Sequence, residues 1–168
     1  MTRSLAVVLA AALLLTACGS AEVLLSKPAD VPAGVDFSGN WVRTGNSGTG
    51  QRDARELLVH VFLETGNSLK ITQTESGIFV SFDRSVVEEY RFGENRTVSV
   101  GAISAARVSG WEGAAYVVET LDEDGAKLVD VYRLQNGGRR LQRSIEIWHR
   151  DKKILGLVQE FAHVSSGE

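Results

Sequence analysis

The chain of 168 residues has one cysteine, Cys18, and two prolines, Pro28 and Pro32. A single thiol excludes an internal disulfide, so the fold must hold by packing and backbone pairing. An excess of basic charge is also absent. Eighteen Lys and Arg stand against 21 Asp and Glu, a net charge of −3, and the two signs are interspersed, which leaves no basic stripe for DNA or RNA. The longest uncharged apolar run, Leu5 to Leu15, is too short for an ordinary membrane-spanning helix. No Gly-x-Ser-x-Gly elbow occurs, so serine-hydrolase chemistry has no motif behind it.

What is present begins at the N terminus. The charged start Thr2-Arg3, the apolar segment Leu5 to Leu15 and the run Leu15-Thr16-Ala17-Cys18 form a processed export signal. The run resembles the lipobox of bacterial lipoproteins. That resemblance implies diacylglyceryl transfer to the Cys18 thiol, removal of residues 1–17 and attachment to a membrane through acyl chains, each buried methylene contributing about 0.8 kcal/mol. Gly19, with no Asp directly after the cysteine, fits the pattern of lipoproteins sent to the outer membrane, facing the periplasm. Residues 18–35 hold Gly19, Ser20, Gly34 and both prolines without a sustained apolar period, and read as a flexible, partly extended tether. Residues 36–168 remain for one domain, ample for a hydrophobic core.

That domain reads as mainly β. Phe37 to Arg43 alternates as a first strand, with Phe37 and Trp41 on one face and Gly39 between them. Asp53 and Glu56 offer a capping box for one short helix with Leu57, Leu58, Val61 and Phe62 on its apolar face, although Leu57, Val59, Val61 and Leu63 also alternate as a strand would. Short alternating runs follow: 69–74, 78–82, 86–92, 98–108 with Gly101 as a point of interruption, 114–121, 128–134, 141–148 and 154–163. Ser76-Gly77, Gly93-Glu94-Asn95, Asp124-Gly125 and Asn136-Gly137-Gly138 separate them with residues that tolerate positive φ in hairpin turns. About eight or nine antiparallel strands in sequence are best satisfied by an up-and-down barrel, which removes the open edges.

At Gly39-Asn40-Trp41 the first strand resembles the Gly-x-Trp signature at the closed end of lipocalins. The chain is also similar to bacterial secreted and lipoprotein domains that open with Phe-Ser-Gly-x-Trp, continue with Leu-x-Ile-x-Gln, here Leu69 to Gln73, and later carry a Trp before a hairpin, here Trp111. The resemblance implies a lipocalin-like, or calycin-like, barrel plugged at one end, closed by Gly39, Trp41 and a late arginine packed over the tryptophan. Arg150 is the candidate, with Arg143 the other possibility.

Chemistry-bearing patterns are few. Gly45 to Arg52 has the glycine spacing of a P-loop but offers Gln51 and Arg52 where Lys and Ser or Thr are required, and reads as a flexible surface loop. His60, His149 and His163 lack metal-site spacing, so no metal is assigned, and no cofactor or catalytic residue is expected. Asp122 to Gly125 reads as a solvated turn. Glu88 and Glu89, adjacent on a strand, point to opposite faces, so one turns inward or pairs with an arginine such as Arg91 or Arg107. Trp41, Phe79, Phe82, Tyr90, Trp111, Tyr116, Tyr132 and Trp148 are the candidate lining of the barrel interior. Two functions remain open. One is a membrane-anchored barrel holding a small apolar or amphipathic ligand or lipid. The other is a filled barrel that docks another protein of the cell envelope.

Overall fold

The computed structural model describes residues 22–164, so the signal segment and Cys18 lie outside the described residues. Ten antiparallel strands form one sheet: β1 (Gly39–Thr49), β2 (Ser68–Gln73), β3 (Gly77–Phe82), β4 (Val86–Arg91), β5 (Glu94–Val100), β6 (Ile103–Glu112), β7 (Ala115–Asp122), β8 (Ala126–Gln135), β9 (Arg140–His149) and β10 (Lys152–Val164). Their order is β4-β3-β2-β1-β10-β9-β8-β7-β6-β5. The sheet curls into a nearly closed barrel with one seam, between β4 and β5. Side chains cross the seam where the backbone ladder stops. Ser109 Oγ on β6 donates to the Arg91 carbonyl of β4 at 2.8 Å, and Arg107 Nη1 lies 3.5 Å from Glu88 Oε2.

Period-two alternation sets which side chains enter. On β9, Leu141, Arg143, Ile145 and Ile147 are buried and the residues between them are half-buried; β8 does the same with Ala126, Leu128, Asp130 and Tyr132. The core divides into two clusters. One, at the end where the chain enters, gathers Phe37, Trp41, Leu69, Phe82, Trp111, Tyr116 and Phe161 among others. The second, at the opposite end, gathers Val59, Phe62, Leu128, Ile145, Ile147, Leu155 and Leu157. That end is capped by the connection from β1 to β2, which carries α1 (Gln51–Ala54) and a 3-10 helix (Leu58–Phe62). The cap is tied down by Asp122 at the end of β7. Its carboxylate accepts from the Val59 amide at 2.8 Å and from the turn amides of Asp124 and Ala126 at 3.0 and 2.8 Å.

Three expectations change. The glycine-rich stretch is strand and not loop: Gly45 to Thr49 pair with Glu160 to Gly156 on β10. Glycine is required there by close approach, because a Cβ on Gly48 or Gly50 would run into the carbonyl oxygens of Gly156 and Ile154. The expected helix is two short pieces, and Gly50 in the left-handed region, without a side-chain cap, precedes α1 in place of the Asp53 capping box. The run 98–108 is two strands turning at Gly101 and Ala102, with β5 starting earlier at Glu94, which brings the count to ten.

Residues 22–35, read as the tether, contain no helix or strand; residues 22–29 lie along the outside of β5 to β8, and Val35 packs against the entry-end cluster and accepts from Gln73 of β2. Lys27 Nζ sits 2.6 Å from Glu112 Oε1 and 3.1 Å from Glu119 Oε2 with only 8% of its side chain exposed. The Trp111 amide donates to the Pro28 carbonyl at 3.0 Å, Asn95 donates to Ser26 Oγ at 2.9 Å, and Glu22 pairs with Lys127. Gly110 admits this segment, since a Cβ there would strike the Pro28 carbonyl.

Candidate functional site

Between the two apolar clusters lies a polar belt. Arg143, 1% exposed, sends Nε and Nη2 to Asp130 Oδ1 and Oδ2 at 2.9 and 2.7 Å, and Nη1 approaches Gln159 Oε1 at 3.5 Å. Tyr132 OH donates to Asp130 Oδ2 at 3.0 Å, and the guanidinium is flanked by the rings of Phe82 and Tyr132 at 4.9 and 5.2 Å. Burial works against the Arg143 charge, but the Asp130 carboxylate outweighs it and holds the guanidinium above its ordinary range. Burial likewise pushes the phenols of Tyr90 and Tyr132 above theirs. Nearer the seam, Arg107 lies between the rings of Phe62 and Tyr90, with Thr120 Oγ1 3.3 Å from its Nε. Glu88 is the inward member of the adjacent pair, raised above the usual carboxylate range by burial that Arg107 only partly offsets, while Glu89 turns out to Arg91 at 2.9 Å.

A cleft of about 270 Å³ opens where β1 leaves β2 under the cap. Leu155, Leu157 and Gln159 from the inner face of β10 form its deep wall, and Leu63, Arg43, Arg55 and His60 lie toward its rim. Gln159 joins it to the polar belt. The lining contains two guanidinium groups and no carboxylate. Burial, with the Arg55 cation beside it, lowers the His60 pKa below the ordinary histidine value. Among the described residues no three His, Cys, Asp or Glu side chains are gathered as a metal site, and no helix is long and apolar enough to cross a membrane.

Of the aromatic residues expected inside, Trp41, Phe82, Tyr90, Trp111, Tyr116 and Tyr132 are buried in the core. They pack on one another, Trp111 against Tyr116 at 5.2 Å and Phe37 at 5.8 Å, and fill the entry end. Phe79 and Trp148 are corrected. Phe79 is 39% exposed because Ile78, Val80 and Phe82 take the inward positions of β3. Trp148 lies on the outer face of β9 beside Ile147, with Lys153 over its ring at 5.0 Å and its Nε1 on Glu146 at 2.9 Å. Arg150 is also corrected. β9 carries it to the capped end, into the exposed turn before β10, whereas Trp41 is plugged into the entry end. His163 takes the expected place of the arginine, meeting Trp41 edge-on at 5.0 Å and lying over Gly39. Arg143 is interior but belongs to the belt. Cys18 lies outside the described residues.

Asp130 and Gln159 are not among the residues expected in the interior, and Arg143 is expected only as the other possibility for closing the barrel over Trp41. Their signal is charge in phase with inward apolar residues, as in Leu128-x-Asp130-x-Tyr132 and Leu141-x-Arg143-x-Ile145.

With this geometry in view, solved structures supply the likeness. Echinococcus granulosus fatty-acid-binding protein 1 is 13% identical, with a TM-score of 0.54 over 77% of this chain and 98% of its own. Secretory abundant heat soluble protein 4 from Ramazzottius varieornatus is 12% identical, with a TM-score of 0.54 over 77% and 95%. A Schistosoma mansoni fatty acid binding protein, solved in complex with arachidonic acid, is 12% identical at 0.54 over 77% and 96%. The fold is therefore a lipocalin-like, fatty-acid-binding-protein-like barrel. A luciferase domain from Lingulodinium polyedrum shares it at 15% identity and a TM-score of 0.53, over 83% of this chain and 45% of that one. No protein-family model and no curated protein matches the sequence.

Proposed function

We propose that the protein is a membrane-anchored bacterial lipoprotein, held by acyl chains on Cys18 at the periplasmic face of the outer membrane, whose barrel binds a small amphipathic ligand without catalysis. The observation that carries the binding reading is the cleft under the cap. It joins apolar side chains, Leu155 and Leu157 in its wall and Leu63 at its rim, to the cations Arg43 and Arg55 and to the buried amide of Gln159. Apolar surface removed from water there contributes about 25 cal/mol per Å², and the lining selects an anionic head over a cationic one. At about 270 Å³ the cleft is slightly below the roughly 300–1,000 Å³ of ordinary ligand pockets, which suits a short apolar chain. The fatty-acid-binding proteins of the same fold support the ligand class at a coarse level.

The Arg143 belt, fully buried in mid-barrel, supports a second reading, a filled module that docks an envelope protein. Titration with anilinonaphthalene sulfonate, an anionic fluorescent amphiphile, separates the two. Saturable binding that is lost in Leu157→Trp, which fills the cleft, supports the ligand reading. Absence of saturable binding, together with native mass spectrometry showing no co-purified lipid, would leave the docking module. Radioactive palmitate incorporation that survives Cys18→Ala would overturn the anchor.

A further inference from the structure

The segment between the signal and the barrel has a direction. Its contacts run from the entry end to the capped end of the barrel wall. Ala29 packs at Gly93 and Pro28 bonds Trp111, both near the entry-end turns; Lys27 lies between Glu112 and Glu119; Glu22 reaches Lys127, the second residue of β8. The turn just before β8 adjoins Asp122, the residue that holds the 3-10 helix of the cap. The described chain therefore begins at the capped end of the barrel wall. Only residues 19–21 separate Glu22 from Cys18, and the four Cα–Cα steps between them reach at most about 14 Å.

Exposed apolar side chains lie at both ends of the barrel, Val42, Phe79 and Val164 toward the entry end among them, but the two most exposed lie on this segment. Val23 and Leu25, 76% and 78% exposed, lie on its first part. Val61 on the cap, Val87 at the start of β4 and Val100 at the end of β5 are also exposed, and all three are at the capped end. Membrane-surface elements insert such residues to roughly 5–10 Å below the headgroups.

We infer that residues 22–30 are an orienting strap, which holds the capped end of the barrel and its cleft against the lipid surface in which Cys18 is embedded. This rests on the lipid-anchor reading of Cys18 and deepens it. The anchor alone would let the domain tumble on a flexible tether. The docked strap removes most of that freedom and turns the cleft toward the leaflet, so an amphipathic ligand passes between bilayer and barrel over a short path. Lys27 is the fastening, because its ammonium is paired on the barrel wall by two carboxylates.

The test uses the full chain, expressed and processed in a bacterium, purified with its acyl groups and reconstituted in phosphatidylcholine vesicles containing a lipid with a shallow nitroxide. Because Cys18 is acylated, a new cysteine takes a fluorophore uniquely. Val61→Cys, or Val100→Cys if the former folds poorly, reports the capped end; Ser76→Cys, or Asn136→Cys, reports the entry end. The expected result is loss of most fluorescence at position 61 and near-background quenching at position 76, a contrast that Lys27→Glu abolishes. Equal quenching at the two ends, or a contrast unchanged by Lys27→Glu, overturns the strap. Strong quenching only at the entry end, where Val42 and Val164 are exposed, would reverse the orientation and overturn it as well. Mass spectrometry of the purified chain keeps the two failures apart: unmodified Cys18 defeats the anchor, whereas an acylated chain with equal quenching defeats the orientation alone.

Discussion

Arg143 and Asp130 meet in mid-barrel as a two-pronged pair, Nε to Oδ1 at 2.9 Å and Nη2 to Oδ2 at 2.7 Å, from inward positions on neighbouring strands. Both are almost completely buried. Removing one partner from such a pair strands the other charge in the interior, which costs about 3–5 kcal/mol, whereas replacing both by apolar residues of similar volume is often neutral. Asp130→Ala should lower the urea-unfolding free energy by that amount, and the double variant Asp130→Leu with Arg143→Met should recover most of it. A single-variant loss under about 1 kcal/mol would show that the belt is not a closed network.

The pairing of Gly45 to Thr49 with β10 is testable by hydrogen exchange. Ladder amides in this stretch should exchange on the timescale of β9 and β10 amides, not of an exposed loop. Gly48→Val should lower stability by about 2–3 kcal/mol, because its side chain is driven into the Gly156 carbonyl. Loop-like exchange across all five residues would contradict the assignment.

These two sites mark how far the sequence could be read. The hairpins from β2 to β10 were legible because apolar residues alternate and turn residues punctuate them, and the capped end was legible as a break in that period. The second half of β1 is hidden because its glycines carry the same letters as a loop, although Gly48 serves there as a residue small enough for the approach of β10. Trp148 and Phe79 were misplaced because large aromatic residues on outer faces look like core until the phase of the whole strand is fixed. Asp130 and Arg143 sat in plain phase with the core, but pairing across strands is visible only once register is known. Arg150 failed for a topological reason: the direction of β9 decides which end its last residues reach.

His60 gives a pH dependence of defined sign. Burial and the Arg55 cation lower its pKa in the folded chain below the unfolded value near 6.5. The stability it contributes is complete above about pH 6.5 and is lost as pH falls through the lower folded value. His60→Gln should therefore show a smaller fall in urea midpoint between about pH 7.5 and pH 5 than the parent. Identical falls would place His60 in an environment no different from solvent.

Charge at the cleft rim should act on affinity. Arg55→Glu should weaken binding of anilinonaphthalene sulfonate by about three- to tenfold at low salt and by less at high salt, since exposed charges are screened. A salt-independent loss, or none, would locate the anion elsewhere in the barrel.

The place of β10 in the sheet sets the order in which the protein can be completed. The seam lies between β4 and β5, in mid-sequence, so the centre of the sheet is where the first and last of the ten strands meet, β10 lying between β1 and β9. A chain that emerges N terminus first delivers that central strand last of the ten. Until Lys152 to Val164 has been made, the strands β1 to β4 and β5 to β9 are two meanders with no ladder between them. The growing polypeptide remains open, and closure is a single late event that waits for the final thirteen-residue strand.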